Sequence, residues 1–390
     1  MDDMTRVVPA PVSVAGLEAV LDHSGSGRML PREAYTSDDV LAWEREHFFR
    51  RSWVCAGRSA DLTDPGMRRA ARAGGDSLLM VRGDDGRLRA FFNVCRHRGH
   101  ELLACGASAR RGAIHCPYHA WTYGLDGALR ATPRFEAPAG FDPTDHGLVE
   151  VRVEEWQGWA MVNLSGDAPP LAEHVGGLAS LLEPYGPDLL VTGSTHEYQL
   201  GANWKLPVEN YHECYHCPAI HPELCVVSPP TSGDNYALPG LWFGGTMDLE
   251  EHAETMSLDG ASGGEILPGL DARQRRQVIY VQLFPNLLVS LHPDYVMTHR
   301  IEPLRAASTW VECQWLFSPS AARRPGFDPS YAVDFWDITN RQDWSACEGV
   351  QRGVASAGYV PGPFAESEDA VQQFVVHVAR SYLAGELLPA

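Results

Sequence analysis

Between Trp53 and about Asn163, apolar residues come in short runs cut by Gly, Asp and Pro, which predicts strands at Ser77–Arg82, Leu88–Val94, Gly112–Cys116 and Trp159–Leu164. Asp84-Asp85-Gly86 and Leu125-Asp126-Gly127 read as hairpin turns, because Asp and Gly accept the positive φ that tight turns need. The pattern is that of a small antiparallel β domain. Ahead of it, Ser37 can cap a helix whose Asp38 and Asp39 suit its positive end and whose apolar stripe is Val40, Leu41, Phe48 and Phe49; this helix is assigned to the first domain. Ser165 to Pro170 forms a linker.

Beyond the linker a strand at Ser194–Asn203 leads into a helix from Lys205, and further strands are expected at Val278–Leu283, Asn286–His292, Tyr295–Glu302 and Thr309–Phe317. Asp328 with Pro329 starts a long helix, and a last amphipathic helix runs from about Glu366 to Leu383. Ser228–Leu270, rich in Gly, Pro and Ser, reads as an irregular insertion near the site. The fold class is α+β, with an antiparallel sheet gripping long helices. The expected division is an arm over 1–36, a first domain over 37–165 and a second over 166–390.

A length of 390 residues suits two domains. With 31 Lys and Arg against 50 Asp and Glu, a net charge of -19 argues against nucleic acid or an anionic membrane as partner. Met1 to Val20 is broken by Pro9 and Pro11 before any signal-peptide core, and no later stretch offers about 18 apolar residues in a row, so a soluble cytoplasmic protein is expected. Nine cysteines, partly interleaved with histidines, read as reduced thiols and metal ligands rather than a disulfide framework.

Two constellations carry chemistry. NVCRHRGHELL and HCPYHAW place Cys95 and His97 on one loop and Cys116 and His119 on another. Two thiolates on one iron and two imidazoles on the other would make an iron-sulfur cluster of raised potential. A Cys2His2 zinc site is the alternative, although zinc fingers usually keep their two Cys together. His100 and His115 fall outside the ligand pattern and read as hydrogen-bonded loop residues.

The run NWKLPVENYHECYHCPAIHPEL holds Asn210, Glu213, His216 and His221. Glu213 and His216 would share a helix face, and Pro218 would break the helix and swing His221 toward the same point. Two His and one carboxylate on one side of an iron leave positions for O2 and substrate. Asp343, in RQDWSACEGVQRG, is the candidate carboxylate, with Asp337 on the same helix as the alternative. A zinc or structural site of His212, Cys214, His216 and Cys217 is the competing reading.

The first pair of loops, with Arg98-Gly99 and Pro117-Tyr118 beside the ligands, resembles the Rieske motif. With the second constellation, the chain from about Leu30 to Leu383 resembles the alpha subunit of Rieske non-haem iron (ring-hydroxylating) oxygenases. That resemblance implies a Rieske domain followed by a helix-grip (START-like) catalytic domain. It also implies a 2Fe-2S cluster, a mononuclear Fe(II), a small-molecule substrate, O2, and electrons from NAD(P)H through a separate flavin/iron-sulfur reductase or ferredoxin. The family further implies homotrimers in which Glu213 links His216 to a neighbour's Rieske histidine, and an Asn210 that lies near the iron without binding it. Aromatic-ring dioxygenases usually carry Asp at the position of Glu213. Glu213 and the ECYHC run followed by His-Pro-Glu are closer to the branch acting on choline, glycine betaine, carnitine or stachydrine. Oxidative N-demethylation of an N-methylated amine such as glycine betaine is therefore the expected reaction. Hydroxylation of an aromatic ring or natural product is the alternative, and an electron-transfer or ligand-binding protein with a dead second site is the alternative of another class. A quaternary ammonium needs aromatic faces, and Trp242, Phe243, Tyr280, Phe284 and Tyr295 are the candidates.

Overall fold

The computed structural model describes residues 8–22 and 27–389. Residues 1–7 and 23–26, which belong to the expected N-terminal arm, lie outside them. The chain divides into two compact units, Trp53–Ala168 and Met1–Ser52 with Pro169–Ala390. No helix among the described residues is long and apolar enough to cross a membrane.

The smaller unit holds a seven-stranded antiparallel sheet in the order Val54–Arg58, Trp159–Asn163, Glu150–Trp156, Leu88–Phe92, Asp76–Arg82, Met67–Ala73, Ser108–Arg110. A three-stranded sheet of Ile114–His115, Thr122–Tyr123 and Leu129–Ala131 accompanies it. Both expected hairpins form. Gly83 N donates to Arg87 O at 2.9 Å with Gly86 at φ +76°, and Gly124 N donates to Ala128 O at 2.9 Å with Gly127 at φ +81°. A side chain at 127 would collide with the Phe91 ring at 2.5 Å, so the turn and the core both require glycine there. Leu79, Val81, Phe91, Ile114, Trp121 and Tyr123 build one core with Cys95 and Cys116, which places both thiols in an apolar, closely packed setting.

The larger unit is built on a second seven-stranded antiparallel sheet, ordered Val191–Leu200, Ser308–Phe317, Tyr295–Arg305, Leu287–Leu291, Gln277–Leu283, Trp242–Asp248, Asp234–Asn235. The long helix Ser330–Val354 begins after Pro329, with Asp328 Oδ1 accepting from Ser330 N at 3.0 Å. It buries Ala332, Val333, Phe335 and Trp336 among Tyr295, Met297, Trp315 and Phe317 of the sheet. The final helix is Asp369–Ala384.

Two expectations fail here. Ser228–Leu270 is not irregular throughout, because Trp242–Asp248 is a full strand. Its glycines, which disguise it, allow close pairing: a Cβ on Gly244 would lie 2.0 Å from Tyr280 O, and one on Gly245 would lie 2.2 Å from Asp234 O. The second concerns Asp38–Glu44 and the following π-helical turn Arg45–Arg50, which belong to the larger unit instead of opening the β domain. The cause is a buried charge. Glu44 bonds Lys205 Nζ at 2.5 Å and Trp204 Nε1 at 2.8 Å, and accepts from the Tyr382 hydroxyl. Neither Glu44 nor Lys205 is exposed at all, so each charge depends on the other.

Candidate metal centres

The two ligand loops of the smaller unit share one backbone design. Cys95 N donates to His100 O at 2.9 Å and Gly99 N to Cys95 O at 3.0 Å; Cys116 N donates to Trp121 O at 2.8 Å and Ala120 N to Cys116 O at 3.0 Å. The fifth residue of each loop has positive φ, +70° at Gly99 and +58° at Ala120. At Ala120 that conformation carries strain, which persists because the loop's hydrogen bonds over-determine it. The turns bring His97 and His119 to a ring separation of 4.7 Å, with His97 stacked on Trp121 at 4.7 Å and 7°.

Nδ1 of His97 and Nδ1 of His119 are buried without a hydrogen-bond partner. Two orphaned imidazole nitrogens beside two buried thiols are what a metal cluster would satisfy. Tyr123, not singled out in the sequence, places its hydroxyl 3.2 Å from Cys95 Sγ while accepting from Arg96 N at 3.0 Å. Burial followed by the Cys95 bond keeps that phenol protonated, so against a Cys95 thiolate the Tyr123 hydroxyl is the donor. His100 and His115 are loop-bonded as expected, to Glu101 O at 2.6 Å and Thr122 Oγ1 at 2.9 Å.

In the larger unit, Asn203 Oδ1 accepts from Lys205 N at 3.1 Å just ahead of the helix Lys205–Tyr211. The helix stops at Tyr211, so Glu213 and His216 do not share a helix face as the spacing suggested. A turn joins them instead: Glu213 Oε2 accepts from the backbone N–H groups of Tyr215 and His216, and Oε1 accepts from His216 Nδ1. A short helix, Cys217–Ile220, with Pro218 in its first turn then carries the chain to His221. His221 Nδ1 bonds Gln342 Oε1 at 2.6 Å.

With both Nδ1 atoms turned to acceptors, both Nε2 atoms are free to point at Asp343. They lie 3.4 Å (His216) and 2.8 Å (His221) from its Oδ1. One ligand atom from each of the three lies within 4.8 Å of the others, and no other His, Cys, Asp and Glu group among the described residues is that compact. Cys95 with His97 and Cys116 with His119 stand as one Cys–His pair on each of two matching loops, an arrangement suited to four ligands shared between two irons.

Burial disfavours the charged His216 ring, yet Asp343 and Glu213 outweigh it and raise its pKa to about 9. Burial likewise opposes the Asp343 charge, while hydrogen bonds to His216 and His221 hold it below the ordinary carboxylate value. A cation at this point would replace the protons now shared there. Asn210 stands at the edge, Nδ2 3.4 Å from His216 Nε2.

Asp337 is elsewhere, accepting from the Tyr198 hydroxyl at 2.7 Å and from Arg341 Nε at 2.7 Å. The alternative zinc set does not assemble. Cys214 and Cys217 form a disulfide, against the expectation of reduced thiols, and His212 turns to Gln282 Oε1 at 3.3 Å. The other seven cysteines are free.

Comparison with known proteins agrees with this geometry. Residues 52–151 match the Rieske [2Fe-2S] domain and residues 187–384 the ring hydroxylating alpha subunit (catalytic domain). The chain belongs to the Rieske ring-hydroxylating oxygenases. Among these oxygenases it is 30% identical over 374 residues to the glycine betaine monooxygenase oxygenase subunit of Chromohalobacter salexigens, spanning 89% of this chain and 82% of that one. The carnitine monooxygenase oxygenase subunit of Acinetobacter baumannii is 37% identical over 194 residues, spanning 49% of this chain and 52% of its own. A solved structure of the quaternary ammonium Rieske monooxygenase CntA has the same fold, with a TM-score of 0.82, 24% identity, and coverage of 96% of this chain and all of that one.

As in any oxygenase of this family, the substrate must reach the triad. A cavity of about 70 Å3 lies against it, walled by Tyr211, Tyr280, Trp336 and Trp344. Of the five aromatic residues expected at a substrate, only Tyr280 lines it. Trp242 donates its Nε1 to Pro239 O at 3.1 Å, Phe243 packs on Phe374 and His377, and Phe284 packs on Phe48 and Trp204. Tyr295 stacks on His292 and accepts from Trp336 Nε1 at 2.7 Å. These four are core, consistent with the usual fate of strand aromatics. Tyr211, Trp336 and Trp344 went unnoticed in the sequence, although Tyr211 follows Asn210, Trp344 follows Asp343, and Trp336 lies about two helical turns before Asp343 on one face.

Proposed function

We propose that this chain is the oxygenase component of a cytoplasmic monooxygenase that removes an N-methyl group from a quaternary or N-methylated amine. The observation that carries the reading is the convergence of His216, His221 and Asp343 beside an aromatic-walled cavity. The relatives named for glycine betaine and carnitine support the substrate class. The net reaction consumes O2, two electrons and two protons, places one oxygen on an N-methyl carbon and releases water. The resulting carbinolamine then breaks its C–N bond to give formaldehyde and the demethylated amine.

His216, His221 and Asp343 would hold Fe(II), and Cys95, His97, Cys116 and His119 the cluster; when bound, these groups supply O2 activation and single electrons. The chain's other residues set the conditions. Gln342 and Glu213 fix each ring in the tautomer with Nδ1–H outward and the Nε2 lone pair inward. Tyr211, Tyr280, Trp336 and Trp344 line the cavity and would supply the aromatic surface that attracts a cation. Asn210, close to His216 but not in the ligand set, limits the space beside it. Glu213, with one oxygen on His216, is suited to relay between the triad and the Rieske histidine of a neighbouring subunit in a homotrimer.

The test begins with iron and acid-labile sulfide per chain in anaerobically purified protein. About three irons and two sulfides with a Rieske-type electron paramagnetic resonance signal are expected from the ligand counts. Screening N-methylated amines for substrate-dependent O2 uptake with matching formaldehyde follows. Hydroxylated aromatic product without formaldehyde would overturn the demethylase reading.

A further inference from the structure

We propose that the substrate of this site is a cation without a carboxylate, an N-methylated ammonium whose far end is neutral, rather than a zwitterion. The inference rests on the N-demethylation reading and narrows it. The small triad cavity meets a second cavity of about 610 Å3, and the two share Tyr211, Glu213, Cys214, Met247 and Tyr280 as walls. The space at the triad, about 70 Å3, is the smaller of the two and takes the methylated head. The rest of the molecule must lie in the larger chamber.

On the inner cavity Asp343 belongs to the metal triad and Glu213 is bonded to His216, so neither is a free charge. The free charges are on the outer cavity and have one sign: Asp234, Glu366 and Asp369, all exposed, stand along it. Among the described residues no Lys or Arg lines either cavity. Histidine does not make up the deficit. His216 and His221 belong to the metal triad, His299 is buried and bonded to Asn340 at 3.0 Å, and His212 is held neutral by burial, its pKa lowered to about 4. A substrate carboxylate would therefore sit in an outer chamber whose charged walls carry its own sign and no Lys or Arg, which selects against it. The same carboxylates attract and concentrate a cation at the mouth, and the aromatic walls receive its ammonium. Thr231 and Thr246 in the outer chamber can hydrogen-bond a hydroxyl, ether or amide at the neutral end.

The experiment uses holoenzyme with a reductase and matched pairs of trimethylammonium compounds. Each pair has a spacer of one length and ends in either a hydroxymethyl group or a carboxylate, starting with choline and glycine betaine and lengthening to four carbons. Formaldehyde release should show kcat/KM for the best alcohol at least about 100-fold above its carboxylate partner. Glu366→Lys should cut the cation's kcat/KM and narrow that ratio by about tenfold. A carboxylate partner turned over equally well or better would overturn the inference while leaving N-demethylation standing. No formaldehyde from any pair, with full iron content and a reducible cluster, would instead overturn the demethylase reading beneath it.

Discussion

Replacing Tyr123 by Phe should lower the reduction potential of the cluster without removing it. The hydroxyl lies in the core of the smaller unit, 3.2 Å from Cys95 Sγ, and accepts from Arg96 N at 3.0 Å; with Cys95 a cluster thiolate, which can only accept, the Tyr123 proton goes to sulfur. A hydrogen bond to a charged group is worth about 1.5–3 kcal/mol. The cluster sulfurs carry more negative charge after reduction, so the reduced state loses more than the oxidised one when the donor goes. A differential of about 1–1.4 kcal/mol, with about 59 mV per tenfold change for one electron, gives a fall of roughly 40–60 mV. The Arg96 N–H loses its acceptor as well, which costs about 1–3 kcal/mol of stability. A redox titration followed by the reduced-cluster resonance, with acid-labile sulfide measured in parallel, reads the effect. An unchanged or raised potential at full sulfide content would show that the Tyr123 proton does not favour the reduced state.

Gln342→Leu leaves His221 Nδ1 without its 2.6 Å acceptor, and Fe(II) affinity measured by chelator competition should fall about 10–100-fold; unchanged affinity would remove Gln342 from the orienting shell. Glu44→Ala strands the Lys205 charge in a fully buried site and should destabilise the larger unit by about 3–5 kcal/mol in chemical denaturation, with a loss below about 1 kcal/mol refuting the buried-pair argument. Burial raises Glu209 from its ordinary 4.5 to about 8 against the Tyr35 hydrogen bond and Lys205. Its folded form then holds a proton that its unfolded form has lost, so the contribution is full below about 4.5 and disappears as pH rises through about 8. Stability should therefore fall between those limits more steeply in the wild type than in Glu209→Gln, by up to about 1.4 kcal/mol per pH unit, and parallel curves would place the Glu209 pKa near its ordinary value.

What could be read from the sequence, and what could not, follows from how far apart the cooperating groups lie. Cys95 with His97, Cys116 with His119 and Glu213 with His216 each act within one turn or loop, so spacing alone exposed them, even where the turn proved not to be a helix. The choice between Asp337 and Asp343 was different. Six residues along a helix rotate a side chain by about 240°, so the two carboxylates face different neighbours, and deciding between them needs the helix's phase against His221. The cavity walls posed the same difficulty twice over. Trp242 and Phe243 looked eligible because they are aromatic and near the site in sequence, but Phe243 packs under the final helix on Phe374 and His377, which lie more than a hundred residues away. The Gly244-Gly245 pair hid a strand because glycine signals a loop unless one knows that the Tyr280 and Asp234 carbonyls press against it. Glu44 and Lys205, 161 residues apart, were similarly silent: a glutamate in a charged helix reads as solvated until its partner is found. The absence of any Lys or Arg along the two cavities among the described residues belongs to the same class, since composition reports 31 such residues in the chain and only the folded arrangement shows that none of the described ones lines either cavity.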